Sequence, residues 1–393
     1  MIARSRIVLI RPREEFESFK RVWRSLLGEC IADFEPRYFD VPLLAILVDA
    51  GGTPVWIPTL YLAHCALRGR SATGDTVRTY AEALQVWMLH MERSNWSFDE
   101  VTEDDFAAFR NQLVHRARAT NGRRYATSTA NHRISVVCNF YLWGEKCGLI
   151  SSKFGQYLEA RERSRRGFSR LRNRQFECPT KSLAPAVVQR LPRLLSREEL
   201  HLLFREARGT YKLAFKWALV TGLRRFEICN LTVGQLPSPE SLAMSRDRLF
   251  PINILRKGSR DITAYVPISL IEETRWYILT ERKTPKSEDE RRIFVGVRGD
   301  PISKNALSKE FRRCANKIGS DATLHHLRHT FAINVLETLE RRAQSGDPLN
   351  SMKTLQILLG HASLESTEIY LRAMDVSNES VMQALDHLYG ATL

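Results

Sequence analysis

Apolar residues recur along much of this chain at spacings of three and four, the period of amphipathic helices. Phe16, Phe19, Val22, Trp23, Leu26 and Leu27 mark one such face near the start. The apolar run from Val41 to Val48 is compatible with strand or helix. Thr76, Tyr80, Leu84, Trp87, Met88 and Met91 predict a further helix. Thr102-Glu103-Asp104-Asp105 reads as a helix start, with a hydroxyl at the N-cap and carboxylates in the first turn. Phe106, Phe109 and Leu113 give that helix its stripe. Another is expected from about 128 to 146, with Ile134, Val137, Phe140, Tyr141 and Trp143 inward and Gly148 as the stop. Residues 53–157 thus make a compact helical domain. Residues 1–52 are an N-terminal extension or arm.

Between 158 and 193 the period disappears. Arg161, Arg163, Arg165, Arg166, Arg170, Arg172 and Arg174 crowd together, and Pro179, Pro185 and Pro192 follow. Clustered like charge with proline predicts an extended basic linker. From 194 the pattern is mixed. Ser196-Arg197-Glu198-Glu199 resembles a capping box. Tyr211 to Val220 is a mostly apolar helix. Leu249 to Leu255 and Asp261 to Ile268 predict two strands, with Lys257-Gly258-Ser259-Arg260 in the turn between them. Ile293 to Val297 predicts a third. Helices dominate from there, and Val381, Leu385, Leu388 and Tyr389 mark a tail helix over 380–393.

Charge narrows the partner. The chain has 393 residues and a formal net charge of +15, which favours a polyanion, and nucleic acid above all. Arg118, Arg123, Arg124, Arg133 and Lys146 lie between the apolar positions of the helical domain. They are candidate phosphate contacts, with a solvated face as the ordinary alternative. The seven cysteines form no CxxC pair, which argues against a disulfide framework or a zinc site and for a reducing compartment. The most apolar stretch, Val41 to Leu67, is interrupted by Asp49, two glycines, Pro54 and Pro58, so no segment reads as a bilayer span. A cytoplasmic protein without membrane partners is expected.

Cleaving a phosphodiester with a side chain requires a nucleophile, cations on the non-bridging oxygens and an acid for the leaving oxygen. The second half supplies each type. In Thr221-Gly222-Leu223-Arg224-Arg225-Phe226-Glu227, Gly222 permits a bend, Arg224 offers a planar fork for phosphate, and Glu227 can brace it. Lys257, at a hairpin tip, carries a mobile proton suited to a leaving 5′ oxygen. His325 and Arg328 stand three apart, on one helix face. His326 and His329 read as structural. Three histidines here invite a metal, but no carboxylate or cysteine completes a shell, so neither metal nor cofactor is expected. His361 can donate to phosphate, and Tyr370 follows it by nine residues. Taken singly, each of these has an ordinary explanation in packing or surface charge.

Their order and spacing together resemble the tyrosine recombinases, the phage integrase family. TGLRRFEI is similar to the family's first arginine box, HHLRHTFA to its His-x-x-Arg box, and LLGHASLESTEIY to its final box. The resemblance implies a mainly α fold with a small antiparallel β-sheet in a catalytic domain over 194–379. It further implies a two-domain C-shaped DNA clamp, with 53–157 as the helical, SAM-like core-binding domain. Tyr370 would form a 3′-phosphotyrosyl link, held by Arg224, Arg328 and His361. Lys257 would be the general acid, and His325 would assist proton transfer from Tyr370. The expected partners are double-stranded DNA at a specific site, three further protomers in a tetramer on two sites, and accessory proteins that set direction. Type IB topoisomerase-like relaxation and a silent DNA-binding regulator are the alternatives. One departure is the 33 positions between Arg328 and His361, which point to an inserted loop over Arg341 to Pro348.

Overall fold

The computed structural model describes residues 5–12, 41–69, 74–94, 96–116, 124–152, 154, 191–244, 248–255, 261–287, 291–345, 350–361 and 364–376. Among these the chain is mainly helical, with two small antiparallel sheets. It divides into two compact units, Met1–Val188 and Gln189–Leu393.

In the first unit, β1 (Arg6–Ile10) pairs antiparallel with β2 (Leu44–Val48), Val8 lying opposite Ile46. The run that periodicity left open is therefore a strand, and Ala45 and Leu47 turn inward from it. Among the described residues α-helices follow, α1 (Trp56–Arg68), α2 (Asp75–Ser94), α3 (Glu103–Asn111) and α4 (Thr127–Lys146). Pro58 lies in the first turn of α1, where its missing N–H removes no intrahelical bond. The expected cap of α3 is present: Thr102 Oγ1 accepts from Asp105 N at 3.3 Å, and Asp105 Oδ2 accepts from Thr102 N at 2.9 Å. Trp87 sits at the centre of the core, edge-on to Phe109 at 4.8 Å and near Phe106 and Tyr141. Each such buried aromatic contributes roughly 1.5–3 kcal/mol.

The described parts of residues 1–52 pack on these helices. Leu47 is fully buried in their core, and Gln85 Nε2 donates to Ser5 O at 2.7 Å. The helix expected over 16–27 lies outside the described residues. Of the candidate phosphate contacts, Arg124 and Lys146 are exposed. Arg133 is half-buried and stacks its guanidinium on Tyr125 at 4.1 Å. Arg118, Arg123 and the seven linker arginines lie outside the described residues, as do Lys257 and the tail.

The second unit runs α5 (Arg197–Glu206), α6 (Gly209–Thr221), α7 (Arg225–Cys229), α8 (Pro239–Met244), β3 (Leu249–Leu255), β4 (Asp261–Pro267), α9 (Ile268–Thr280), α10 (Lys304–Lys317), α11 (Leu324–Gln344), α12 (Ser351–Leu359) and α13 (Glu365–Val376). The predicted capping box holds, Ser196 Oγ accepting from Glu199 N at 3.1 Å. Strands β3 and β4 pair from Leu249↔Pro267 to Leu255↔Asp261. The third strand expected over Ile293 to Val297 does not form. Ile293, Phe294 and Val295 are fully buried, but they join neighbours through isolated bridges, Thr232↔Arg292 and Val295↔Pro301. Gly296 N reaches back to Asp300 O at 2.8 Å, so the chain turns before a ladder can extend. Part of the expected inserted loop is helical too, because α11 continues through Arg341 and Arg342.

Phe215, Trp217, Phe294 and Phe311 fill the main core, where Trp217 Nε1 donates to Thr274 Oγ1 at 3.0 Å. A smaller cluster of Ile333, Leu336, Leu355, Leu359, Ala373 and the Tyr370 ring binds α11, α12 and α13 together. That three-helix junction positions the site. Among the described residues no helix is long and apolar enough to cross a membrane.

Candidate active site

Two left-handed glycines deliver the first and last motifs. Gly222 ends α6 at φ 65° with its N–H on Ala218 O at 3.1 Å. The chain then turns so that Leu223 enters the core and Arg224 stands at the N-cap of α7. Glu227 is buried in the first turn of that helix, where its charge suits the helix dipole. Its Oε2 accepts from Arg224 N at 2.7 Å and its Oε1 accepts from the guanidinium at 3.3 Å. This is the bracing that the Arg-x-x-Glu spacing suggested. Gly360 plays the same part after α12, at φ 55°, and His361 N then closes on Gln356 O at 2.9 Å.

Helix α11 is capped by Thr323 N donating to His326 Nδ1 at 3.2 Å, a structural role for His326. Within it, Arg328 is only 3% exposed. Its guanidinium donates to Gly222 O at the end of α6, to Leu359 O at 3.0 Å and to His361 Nε2 at 2.9 Å. One buried cation thereby ties together three segments remote in sequence. His361 Nδ1 lies 2.9 Å from Thr367 Oγ1, which fixes the ring against α13. Tyr370, also 3% exposed, stacks parallel to His361 with centroids 6.3 Å apart.

The Tyr370 hydroxyl lies 3.1 Å from His329 Nδ1. Sequence reasoning set His329 aside and, from resemblance, gave the proton role to His325. In the structure the His325 ring lies edge-on to His329, with centroids 4.4 Å apart, and no described hydrogen bond joins it to Tyr370. Successive helical residues project about 100° apart, so Arg328 can face His361 while His329 faces α13. The adjacency of two polar residues at that junction was the signal available in the sequence.

The electrostatics are those of a cationic pocket. Desolvation lowers the His325 pKa to about 4, helped by Arg328 and Arg224. His329 is likewise lowered to about 4 by burial, then by His325, His326 and Arg328. Both rings are therefore neutral near pH 7. Burial raises the Tyr370 phenol above its ordinary value, and Arg328 and Arg224 pull it part of the way back. A cavity of about 550 Å³ opens beside these groups, lined by Arg224, Arg225, Ser308, Arg312, His325 and Arg328 among others. Two cations in it went unnoticed in the motifs. Arg225 donates to Ser308 Oγ at 3.2 Å, and Arg312 donates to Asp321 O at 2.9 Å. Arg312 comes from α10, which carries none of the motifs.

Gly222 is closely packed. A Cβ there would stand 2.4 Å from Phe331 Cδ1 and would sit on a left-handed backbone. Gly222→Ala is expected to destabilise by about 1–3 kcal/mol and to shift the carbonyl that holds Arg328. Urea unfolding of the two proteins measures it, and equal midpoints would refute it.

A buried tyrosine hydroxyl, two arginines and neutral histidines thus lie together beside an open cationic cavity. Residues 193–376 match the phage integrase family. The tyrosine recombinase XerA of Thermococcus kodakarensis is 31% identical over 196 residues, covering 48% of this chain and 61% of that protein. The tyrosine recombinase XerC of Corynebacterium efficiens is 24% identical over 319 residues, covering 79% of this chain and 83% of its own. A lambda integrase structure, a dimer bound to a COC′ core site, shares the fold with a TM-score of 0.53 at 18% identity, over 80% of this chain and 93% of that one. The chain spans about three-fifths of the length of several curated relatives that it matches, 62% of one and 61% of another. Residues 193–376 therefore carry a domain of the phage integrase family, the tyrosine recombinases.

Proposed function

We propose that this protein is a site-specific DNA recombinase that cuts and rejoins strands through a 3′-phosphotyrosyl intermediate. The observation that carries this reading is the convergence of Arg224, Arg328, His361 and Tyr370 at one junction, from segments far apart in sequence. Arg224 and Arg328 neutralise the non-bridging oxygens of the scissile phosphate, and His361 helps to hold that phosphate by orienting the Arg328 guanidinium through its Nε2. Tyr370 attacks phosphorus. Lys257 protonates the leaving 5′ oxygen. The phosphotyrosyl bond conserves the energy of the broken ester, so rejoining needs neither ATP nor a metal. A 5′ hydroxyl from a partner strand reverses the step.

In this reading the protein works on double-stranded DNA at a defined site in the cytoplasm, as four protomers on two sites, with accessory proteins setting direction. Arg124 and Lys146 in the first unit, with the linker arginines, contact backbone phosphates and make binding salt-dependent.

The test is capture from a pool of nicked suicide duplexes with randomised cores. A detergent-resistant adduct is expected, and peptide mapping should place the DNA on Tyr370. An adduct mapped to any other residue, or no adduct from the pool, would sink the proposal. Rejoining of captured strands to a second duplex separates recombination from topoisomerase-like relaxation, which would reseal only the original partner.

A further inference from the structure

The cavity beside the junction carries more positive charge than one phosphate offsets. Arg224, Arg225, Arg312 and Arg328 all line it. Glu227 pairs with Arg224, and a single scissile phosphodiester would offset Arg328. Arg225 and Arg312 then remain, both exposed. Among the described residues no carboxylate pairs with either, whereas Arg313, the next residue on α10, is bonded to Glu310. Each is steadied instead by a neutral oxygen. Arg225 Nη1 donates to Ser308 Oγ at 3.2 Å, and Arg312 Nη1 donates to Asp321 O at 2.9 Å. Such a bond uses one of the five N–H donors of a guanidinium, so each fork keeps donors for a ligand. Ser308 and Arg312 stand four apart on α10, hence on one face, and that face meets Arg225 of α7.

The two motif arginines lie nearer the nucleophile than this pair does. Tyr370 stacks on His361, His361 is bonded to Arg328, and the phenol feels the charges of Arg328 and Arg224. Arg225 is felt instead at His325, and Arg312 at His326. In-line displacement sets the attacking and leaving oxygens on opposite sides of phosphorus. A scissile phosphate seated on Arg224 and Arg328 therefore has Tyr370 on one side and the second pair beyond it on the other.

We infer that Arg225 and Arg312 form a second anion subsite, which holds the phosphate next to the scissile one on the strand that carries the leaving oxygen. The inference rests on the recombinase reading. A guanidinium fork donates two parallel hydrogen bonds to phosphate oxygens, so two forks fix the position of a phosphodiester as well as offset its charge. Neither arginine makes or breaks a bond. Their effect falls on rejoining. Once Tyr370 holds the 3′ end, the subsite keeps the freed 5′ end seated, and its hydroxyl stays within reach of the phosphotyrosyl bond. Resealing is thereby favoured over loss of the strand.

The test uses the full chain and a duplex recovered from the pool by the wild-type protein. A neutral methylphosphonate replaces one phosphate beside the cut, either on the leaving strand or on the strand that Tyr370 retains. The leaving-strand replacement is expected to weaken wild-type binding by about 10–100-fold, the range of a hydrogen bond to a charged group. In a variant carrying both Arg225→Gln and Arg312→Gln it should add nothing, because its partners are already gone. The replacement on the retained strand should affect wild type and variant alike. After capture, the freed 5′-hydroxyl strand should leave the variant about tenfold faster than the wild type. The neutral phosphate probes the unaltered protein, so the wild-type arm decides even if the variant fails to fold. No penalty in wild type from the leaving-strand replacement would overturn the subsite, as would the same penalty in the variant. So would a wild-type penalty confined to the retained strand, or equal rates of strand release. Failure of the wild type to capture any duplex sinks the recombinase reading. Capture with undiminished binding of the leaving-strand methylphosphonate sinks only the subsite.

Discussion

Tyr370→Phe is expected to abolish covalent capture of DNA while leaving the fold and DNA binding in place. The ring of Tyr370 belongs to the cluster that joins α11, α12 and α13, with Ile333, Leu336, Leu355, Leu359 and Ala373. Phenylalanine fills the same volume, so packing is preserved. What is lost is one hydroxyl and its contact with His329 Nδ1. Removing a single such hydrogen bond costs about 1 kcal/mol. The effect on chemistry is of another order, because the lost hydroxyl is the proposed nucleophile. Adduct yield on a denaturing gel, beside urea unfolding and a binding titration, checks all three parts. Residual adduct in the variant would move the nucleophile elsewhere, with Tyr389 the first candidate to map. The raised phenol pKa makes the same point from the other side. Tyr370 rests fully protonated at neutral pH, so attack depends on a neighbouring acceptor and not on a standing phenolate.

How much of this was legible in the sequence follows from which interactions were local. The caps at Thr102 and Ser196 involve residues three apart, and both formed as read. The β3–β4 hairpin was legible because alternation and a Gly turn are local signals. The strand expected at Ile293 to Val297 was misread because a short apolar run looks alike in a ladder and in an irregular buried segment. Here Gly296 and the Val295↔Pro301 bridge turn the chain back on itself. At the site, Arg224 and Glu227 pair within one turn and were legible together. The contact between His329 and Tyr370 spans 41 positions and depends on how α13 rests on α11. No spacing rule carries that. Arg312 was invisible for a similar reason, since α10 brings it to the cavity from outside every motif.

Arg328→Ala is expected to damage stability and activity together, unlike Tyr370→Phe. The guanidinium is almost wholly buried, and it satisfies Gly222 O, Leu359 O and His361 Nε2 at once. Alanine leaves those acceptors in a site water cannot easily fill. Each orphaned buried acceptor costs about 1–3 kcal/mol, and loss of a buried, hydrogen-bonded charge typically costs about 3–5 kcal/mol in all. Because the three acceptors lie at the ends of α6 and α12 and on the His361 ring, the loss also frees the elements that aim Tyr370. The phosphate meanwhile loses a preorganised cation, a change that typically reduces rate by about 10²–10³-fold. Arg328→Lys separates the two effects. An ammonium keeps the charge but lacks the planar fork that reaches separated acceptors, so part of the stability should return and little of the cleavage. Urea unfolding and capture rate of both variants decide it. If Arg328→Ala unfolds at the wild-type midpoint, the guanidinium is not the tie that the geometry describes. If Arg328→Lys recovers full cleavage, charge alone suffices and the three-way hydrogen bonding is incidental to the chemistry.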